Sequence, residues 1–272
     1  MSSPALRRVQ ILSRQCTASS ATLFSTVTTT NINKGPLHGT LILDLTQMVA
    51  GPAASQLLGD QGADIIKIEH LAGAAERGTS KSRIVSPLFA VVNRNKRSLS
   101  INLKDPQGHA TFLKLVERAD VVLQNFRPGI MAKLNLSYEQ LKLINPTLIY
   151  VSISGFGTTG PYSGNRVYDS VVQSVAGLTS IQMDEHNRPR LVRLIVSDKV
   201  TALTAAQAVT AALVQKATTH QGCHVELSML DAVLSFAWAE GFAQETFDPS
   251  ETKAPPNYTY TRDLLFETKV PF

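Results

Sequence analysis

Strand and helix patterns alternate along most of the chain, and this alternation restricts the possible folds more than any other feature. The first unit is an aliphatic run over residues 41–45, a helical segment over 53–58 with Pro52 at its first turn, and a second apolar run over 63–69. A strand–helix–strand unit of about 30 residues is the size of a parallel crossover. The sequence therefore predicts that these two strands pair in parallel.

The same alternation continues to about residue 245. Further strands are predicted over 98–102, 121–124, 148–153 and 224–227, and helices over 106–118, 137–144, 199–216 and 229–244. The run 148–153 is almost continuously apolar, as in strands that are buried on both faces. This pattern predicts an α/β fold with a mostly parallel sheet.

Composition changes at both ends of the chain. Over residues 247–260, three prolines stand among polar residues, which predicts a linker. We therefore interpret residues 35–245 as one large domain. Residues 246–272 are expected to be the linker and the start of an incomplete second domain.

The amino-terminal segment carries most of the net charge of +5. Residues 1–43 contain no Asp or Glu but include Arg7, Arg8, Arg14 and Lys34. An acid-poor, Ser- and Arg-rich leader is typical of a mitochondrial transit peptide. We expect one over residues 1–34 and a location in the mitochondrial matrix; a tail without a targeting role is the alternative.

The rest of the chain is almost neutral. Without those four cations, 22 basic residues face 21 acidic ones. A nucleic-acid groove needs a basic stripe, which is absent, so no nucleic-acid partner is expected. No apolar run approaches the roughly 20 residues of a membrane span.

Asp198 is the candidate functional carboxylate. It follows an apolar stretch over 191–196 and precedes the predicted helix 199–216. One interpretation is a helix N-cap. The other is a nucleophile at the carboxyl end of a strand, where ligands bind parallel sheets and where the helix dipole keeps a carboxylate ionised.

Two further motifs have competing interpretations. The segment 155–160 matches G-x-G-x-x-G after a strand, but Pro161 and the polar residues after it do not open a helix. A flexible loop near a substrate is therefore favoured over a dinucleotide site. The basic cluster 93–97, with Lys104 beyond the next strand, is either a solvated turn or a contact for phosphates.

No metal site is predicted. His220, Cys223 and His224 lie close together, but no fourth ligand has zinc spacing, and a solvated turn is favoured. The chain also lacks the G-x-S-x-G motif of serine hydrolases and the P-loop motif of nucleotide hydrolases.

Four segments together resemble the class III CoA-transferase family, which includes formyl-CoA transferase and alpha-methylacyl-CoA racemase. They are residues 43–52, 62–69, 93–106 and 119–129, and the match extends over about residues 36–240. The resemblance implies a Rossmann-like large domain and a smaller second domain that is largely missing from this chain. It also implies a homodimer of two interlinked chains.

The resemblance further implies a site. Asp198 matches the Asp that attacks an acyl-CoA thioester and then carries CoA as an aspartyl thioester. The Gly155–Gly160 loop would lie over the reacting end. The positions that match CoA-contacting regions are Val49, Ala50, His70, Ile101, Lys104, Asn125, Phe126 and Lys133. His70 stands where relatives often carry Arg.

The expected function is therefore transfer of CoA from an acyl-CoA, with succinyl-CoA as the suggested donor, to a small carboxylic acid. CoA thioesters are substrates, and no tightly bound cofactor is expected. An acyl-CoA racemase is one alternative, although Tyr168-Asp169 stands where the racemases have His-Asp. A truncated, non-catalytic acyl-CoA-binding paralogue is the other, favoured by the early stop and by Arg193 and Lys199 near Asp198.

Overall fold

The computed structural model describes residues 35–78, 85–184 and 186–242. The chain divides into two units, Met1–Gly35 and Pro36–Phe272, and the description below concerns the second. The expected transit peptide over 1–34 and the expected linker and second-domain segment over 246–272 lie outside the described residues.

Six parallel strands form the sheet of the described part. They are β1 (Leu41–Asp44), β2 (Asp64–Glu69), β3 (Lys96–Ser100), β4 (Val121–Gln124), β5 (Ile149–Ser154) and β6 (Cys223–Ser228). Their order is β3-β2-β1-β4-β5-β6 and every neighbouring pair is parallel. This is the Rossmann order, so the predicted α/β fold with a parallel sheet is confirmed.

Register places β1 at the centre of the sheet. Leu43 pairs with Ile66 of β2 on one side and with Val122 of β4 on the other. The chain proceeds outward in opposite directions from this point, so the order reverses between β1 and β4. Ligands of open α/β sheets bind at such a switch point, beyond the carboxyl ends of the strands.

Nine helices accompany the sheet in the described part. They are α1 (Ala50–Asp60), α2 (Pro87–Val92), α3 (Pro106–Val116), α4 (Ile130–Lys133), α5 (Tyr138–Ile144), α6 (Asp169–Val175), α7 (Leu178–Ile181), α8 (Val196–Thr219) and α9 (Met229–Gly241). A 3-10 turn spans Ala75–Arg77. None of these helices is long and apolar enough to cross a membrane.

Local sequence explains several helix starts. At α3, Asp105 accepts hydrogen bonds from Gln107 N and Gly108 N, and Pro106 occupies the first helical position. At α5, Ser137 and Gln140 form a capping box. These signals are local, so the sequence pattern located both helices closely.

Two hydrophobic layers sandwich the sheet. Ile42, Leu123 and Val151 face α1, α8 and α9, whereas Leu43, Val122 and Tyr150 face α3 and α5. Successive strand residues therefore alternate between the two layers. The central strands are buried on both faces, which leaves their carboxyl ends as the exposed edge where a site can form.

One predicted strand lies two residues earlier than expected. The apolar pattern predicted 98–102, but β3 is Lys96–Ser100. The difference arises because Lys96 is a strand residue whose ammonium is buried against Asp44, at 2.9 Å. A buried cation leaves no hydrophobic signal, so periodicity alone misses it.

Candidate active site

A cavity of about 620 Å³ lies at the switch point. Its wall comes from the segment after β1, the segment after β4, the end of β5 and the loop before α6, together with the first turn of α8. The lining residues used below are Gln47, Val49, Ala50, Asn125, Phe126, Arg127, Ser154, Gly155, Asn165, Arg166, Tyr168, Asp169 and Asp198. The cavity thus occupies the place where open parallel sheets bind ligands.

Asp198 lies in the first turn of α8 and is not its N-cap. The helix begins at Val196, and Ile195 at the N-cap position offers no side-chain acceptor. Instead Asp169 Oδ1 accepts hydrogen bonds from Ser197 N at 2.7 Å and from Asp198 N at 3.2 Å. The N-cap interpretation of Asp198 is therefore wrong, because a carboxylate from α6 caps the helix.

The environment of Asp198 raises the pKa of its carboxyl group. Burial is the largest cause, and the negative charge of Asp169 adds to it. A backbone hydrogen bond from Ala50 acts in the opposite direction, and the pKa lies at about 6, above the usual 3.8. The expected control by the helix dipole is thus outweighed, yet at pH 8 the group is still about 99% ionised.

Val49 and Ala50 line the cavity together with Asp198. Ala50 is the first residue of α1, Val49 gives this helix no side-chain cap, and its first turn contains no acidic residue. The free N–H groups at this helix end carry a partial positive charge. The N–H of Ala50 acts to lower the pKa of the Asp198 carboxyl group, which lines the same cavity.

Asn125 and Phe126 also line the cavity. The Asn125 side chain is already engaged: its Oδ1 accepts from Gln47 N, and its Nδ2 donates to Gln47 O, both at 2.8 Å. Phe126 is half-buried and packs against the α3–α5 layer. It also lines a second, smaller cavity of about 240 Å³ beside the first.

The other four predicted CoA contacts lie outside both cavities. His70 follows β2, Ile101 and Lys104 follow β3, and Lys133 ends α4. All four come after strands that point the same way, so they lie toward the same edge of the sheet as the cavity. The structure therefore brings together five of the nine predicted site residues and leaves these four along the β2–β3–α4 border.

The three cations of the basic cluster over 93–97 form ion pairs with carboxylates of this chain. Lys96 pairs with buried Asp44, while Arg94 pairs with Asp60 and Arg97 with Asp64. Neither the solvated turn nor the phosphate contact describes Lys96, whose side chain is 2% exposed. Its role is to satisfy a buried carboxylate beneath the cavity.

The glycine-rich segment forms a loop, as predicted, and no helix follows it directly. Residues 155–168 connect β5 to α6, which begins at Asp169. Of the Gly155–Gly160 loop only Gly155 lines the main cavity, where a Cβ would lie 2.4 Å from Val167 Cγ1. The loop therefore does not supply the helix N-terminus that a dinucleotide pyrophosphate needs.

His224 belongs to an aromatic cluster. Its ring stacks on Tyr138 with 5.0 Å between the centroids, and its Nε2 is 2.9 Å from Ser152 Oγ. Among the described residues, no group of three His, Cys, Asp or Glu side chains could hold a metal. Cys223, also in β6, is half-buried.

Sequence reasoning missed several cavity residues. Arg127 lies within the family-like segment 119–129, whose pattern predicts no role for it, and Asp169 stands only where the racemases have the Asp of His-Asp. Arg127 and Arg166 both line the cavity, and within the described part of the chain neither forms an ion pair. Two cations without acidic partners give the cavity an affinity for anions.

The two residues that cast doubt on Asp198 are not part of its cavity. Arg193 and Lys199 are exposed, and neither lines the cavity. The surroundings of Asp198 are instead set by Asp169 and Ala50.

Known proteins resemble this chain over most of its length. The human succinyl-CoA:glutarate CoA-transferase is 38% identical over 203 residues, which cover 74% of this chain and 46% of the human protein. The succinate–glutarate CoA-transferase of Agrobacterium fabrum is 37% identical over 207 residues, covering 73% and 52%. The acetyl-CoA:oxalate CoA-transferase of Acetobacter aceti is 39% identical over 214 residues, covering 78% and 55%. The chain spans about half the length of these relatives.

Solved structures agree with the fold. A CAIB/BAIF family protein from Brucella suis superposes with a TM-score of 0.72 at 34% identity, covering 76% of this chain and 56% of that one. Rv3272 from Mycobacterium tuberculosis gives a TM-score of 0.71 at 34% identity, covering 76% and 58%. The family model for CoA-transferase family III matches residues 37–261. On the fold, the switch-point cavity and this match, the chain belongs to CoA-transferase family III.

Proposed function

We propose that this protein transfers CoA between carboxylic acids and that Asp198 is the nucleophile. The observation that carries the proposal is the placement of Asp198. Its carboxylate is largely buried in the switch-point cavity, which it lines together with Ala50, the first residue of α1, whose backbone N–H favours the ionised form. A carboxylate nucleophile needs both features, since poor solvation increases its reactivity and a fixed donor orients it.

The reaction proceeds through Asp198 in two halves. In the first, the carboxylate attacks the thioester carbonyl of the donor and CoA thiolate leaves, which forms a mixed anhydride. The thiolate then attacks the Asp198 carbonyl, the donor acid leaves as a carboxylate, and CoA is held as an aspartyl thioester. The second half repeats these steps in reverse with the acceptor carboxylate, so no net proton is consumed or released.

The Ala50 N–H has a defined part in these steps. Ala50 lines the cavity with Asp198, and its N–H favours the ionised form of that carboxyl group. When a thiolate attacks the Asp198 carbonyl, negative charge grows on the carbonyl oxygen, and a preorganised donor stabilises it. The amino end of α1 therefore supplies the oxyanion donor in this mechanism.

The proposed acceptors are small dicarboxylic acids. The relatives described above are named for succinate, glutarate and oxalate, all of which carry two carboxylates. Arg127 and Arg166 stand in the cavity without acidic partners among the described residues. Guanidinium groups bind carboxylates in a bidentate manner, so either can hold the second carboxylate of such an acid. Succinyl-CoA is the proposed donor.

Further proposals concern the nucleotide end of CoA, the assembly of the protein and its location. His70, Ile101, Lys104 and Lys133 lie outside the cavity toward the same edge of the sheet, and we propose that they contact the nucleotide end of CoA. We also propose an interlinked homodimer and a location in the mitochondrial matrix, on the resemblance and the leader composition.

The decisive experiment is a mass-spectrometric search for CoA on Asp198. The chain is incubated with succinyl-CoA, digested at low pH and compared with an Asp198→Ala control. We expect an adduct on the peptide that contains Asp198, and neither adduct nor transfer in the variant. Full transfer activity in Asp198→Ala, or an adduct elsewhere, would remove the proposed mechanism. Exchange of α-deuterium without an acceptor acid would instead indicate a racemase, and binding of acyl-CoA without any adduct would indicate a non-catalytic paralogue.

A further inference from the structure

Side chains from several segments hold residues 46–48 of the loop between β1 and α1. These residues connect the central strand β1 to the start of α1, where Ala50 lines the cavity with Asp198. Four of the backbone N–H and C=O groups of Thr46 and Gln47, and the N–H of Met48, bind side chains. The partners, from four separate segments, are Asp44, Lys67, Glu76 and Asn125.

Two of these partners, Asp44 and Lys67, are buried charged residues beneath the loop. Asp44 Oδ1 accepts from Thr46 N at 2.9 Å, and Lys67 Nζ donates to Thr46 O at 2.8 Å. Asp44 is fully buried and Lys67 is 2% exposed. Hydrogen bonds to buried charged groups are stronger than neutral ones, so the first residue of the loop is fixed.

Asn125 holds the next residue from the opposite side of the switch point. It stands directly after β4, and its amide donates to Gln47 O and accepts from Gln47 N. Only the amides of Asn and Gln place a donor and an acceptor side by side in one plane. This pair of bonds therefore ties the ends of β1 and β4 together across the cavity wall.

The last loop residue is in a costly conformation. Met48 has a φ of +66°, in the left-handed region that non-glycine residues rarely adopt. Such a residue persists only when its surroundings determine it. Here Glu76 Oε1 accepts from Met48 N at 3.1 Å. Two residues later comes Ala50, the first residue of α1, which lines the cavity together with Asp198.

We propose that Asn125 is a positioning residue, whose amide fixes the backbone of Gln47 and thereby keeps the Ala50 N–H directed at Asp198. This inference rests on the proposed function of Asp198 as nucleophile. It differs from the expected role of Asn125 as a direct CoA contact, because the two bonds to Gln47 already occupy its side chain. The two roles predict different kinetics.

The first variant is Asn125→Ala. We expect kcat to fall by about tenfold or more. Complete loss of an oxyanion donor lowers kcat by about 100- to 1,000-fold, and a misplaced donor should cost part of that. The KM for succinyl-CoA should change by less than about threefold. A displaced Ala50 N–H would no longer favour the ionised carboxylate, so the acid limb of the kcat profile should move to higher pH.

The matched control is Asn145→Ala. Asn145 makes a similar clasp at the opposite edge of the sheet, where its Nδ2 donates to Val116 O and Ala119 O. Its loss should lower the melting temperature without moving the acid limb. Glu76 allows a second test on the same loop, since it accepts from Met48 N. Glu76→Ala should reproduce the pH shift. Glu76→Gln keeps an acceptor for Met48 N and should therefore have the wild-type pH profile.

Two results would overturn the inference. If Asn125→Ala raises the KM for succinyl-CoA and leaves kcat and the acid limb unchanged, Asn125 is a CoA contact. If it lowers only the melting temperature, as Asn145→Ala does, its role is purely structural. If the wild-type chain forms no adduct on Asp198, the proposed function fails instead. The pKa of Asp198, measured by carbon-13 NMR in wild type and Asn125→Ala, then still tests the positioning role without turnover.

Discussion

Replacement of Asp198 by Asn should stabilise the fold at pH 8, although it removes the proposed nucleophile. Burial and the Asp169 carboxylate raise the pKa of Asp198 from 3.8 to about 6. One pKa unit corresponds to about 1.4 kcal/mol, so ionisation of Asp198 costs the folded state about 3 kcal/mol. Asn has almost the same shape without the charge, and its Oδ1 can still accept the Ala50 N–H.

The size of this effect depends on pH in a defined way. The folded state holds the Asp198 proton more tightly than the unfolded state, so the contribution of this proton is fully present below about pH 4. It is lost as the pH rises through about 6. The advantage of Asp198→Asn over wild type should therefore be small at pH 4 and should grow to about 3 kcal/mol above pH 7.

Urea unfolding of both proteins at pH 5, 6, 7 and 8 measures this difference. Asp184→Asn is the control with the opposite sign. Asp184 lies in an exposed turn, where hydrogen bonds from Arg188 N and from neighbouring groups lower the pKa of its carboxyl to about 2. Its replacement should therefore reduce stability at pH 8. The reasoning fails if Asp198→Asn is no more stable than wild type at pH 8, or if its advantage does not grow between pH 5 and pH 8.

Three further predictions concern the neighbours of Asp198. Asp169→Asn keeps an acceptor for the cap of α8 but removes the negative charge near Asp198. The acid limb of the kcat/KM profile should therefore move down by up to about one pH unit. An unmoved limb would show that Asp169 exerts no electrostatic effect. Lys96→Met leaves Asp44 short of a buried partner and should lower the free energy of unfolding by about 3 kcal/mol, measured in urea, where a loss below about 1 kcal/mol would contradict the role of this pair. Arg127→Gln should reduce kcat/KM for glutarate about tenfold, the value of one charged hydrogen bond, and for valerate less than twofold; equal losses for both acids would refute binding of the second carboxylate by Arg127.

The sheet was predictable because its signals are local. Apolar runs marked β1, β2, β4 and β5, and capping residues marked α3 and α5. Alternation then required parallel strands, and the cavity followed from the rule that ligands bind beyond their carboxyl ends. The family resemblance supplied Val49, Ala50 and Asp198 as neighbours, which periodicity alone could not have done.

The start of α8 was not predictable because its cap is remote. Ile195 and Val196 look like the end of an apolar run. The side chain that caps the amino end of α8 is Asp169, which lies on another helix. Lys96 was misplaced for the same reason, since its partner Asp44 is 52 residues away. Pairing over such distances leaves no pattern within a sequence window.

The competition between the two interpretations of Asp198 is resolved by Asp169. A carboxylate that caps α8 would direct its oxygens at the N–H groups of its own helix, and these oxygens would then be poor nucleophiles. Asp169 satisfies two of those N–H groups, so Asp198 is free to face the cavity and the uncapped end of α1. The same placement puts a second negative charge nearby and raises the pKa of Asp198. The capping residue and the residue that adjusts the nucleophile are therefore one, and a single substitution at Asp169 should alter helix stability and the pH dependence of transfer together.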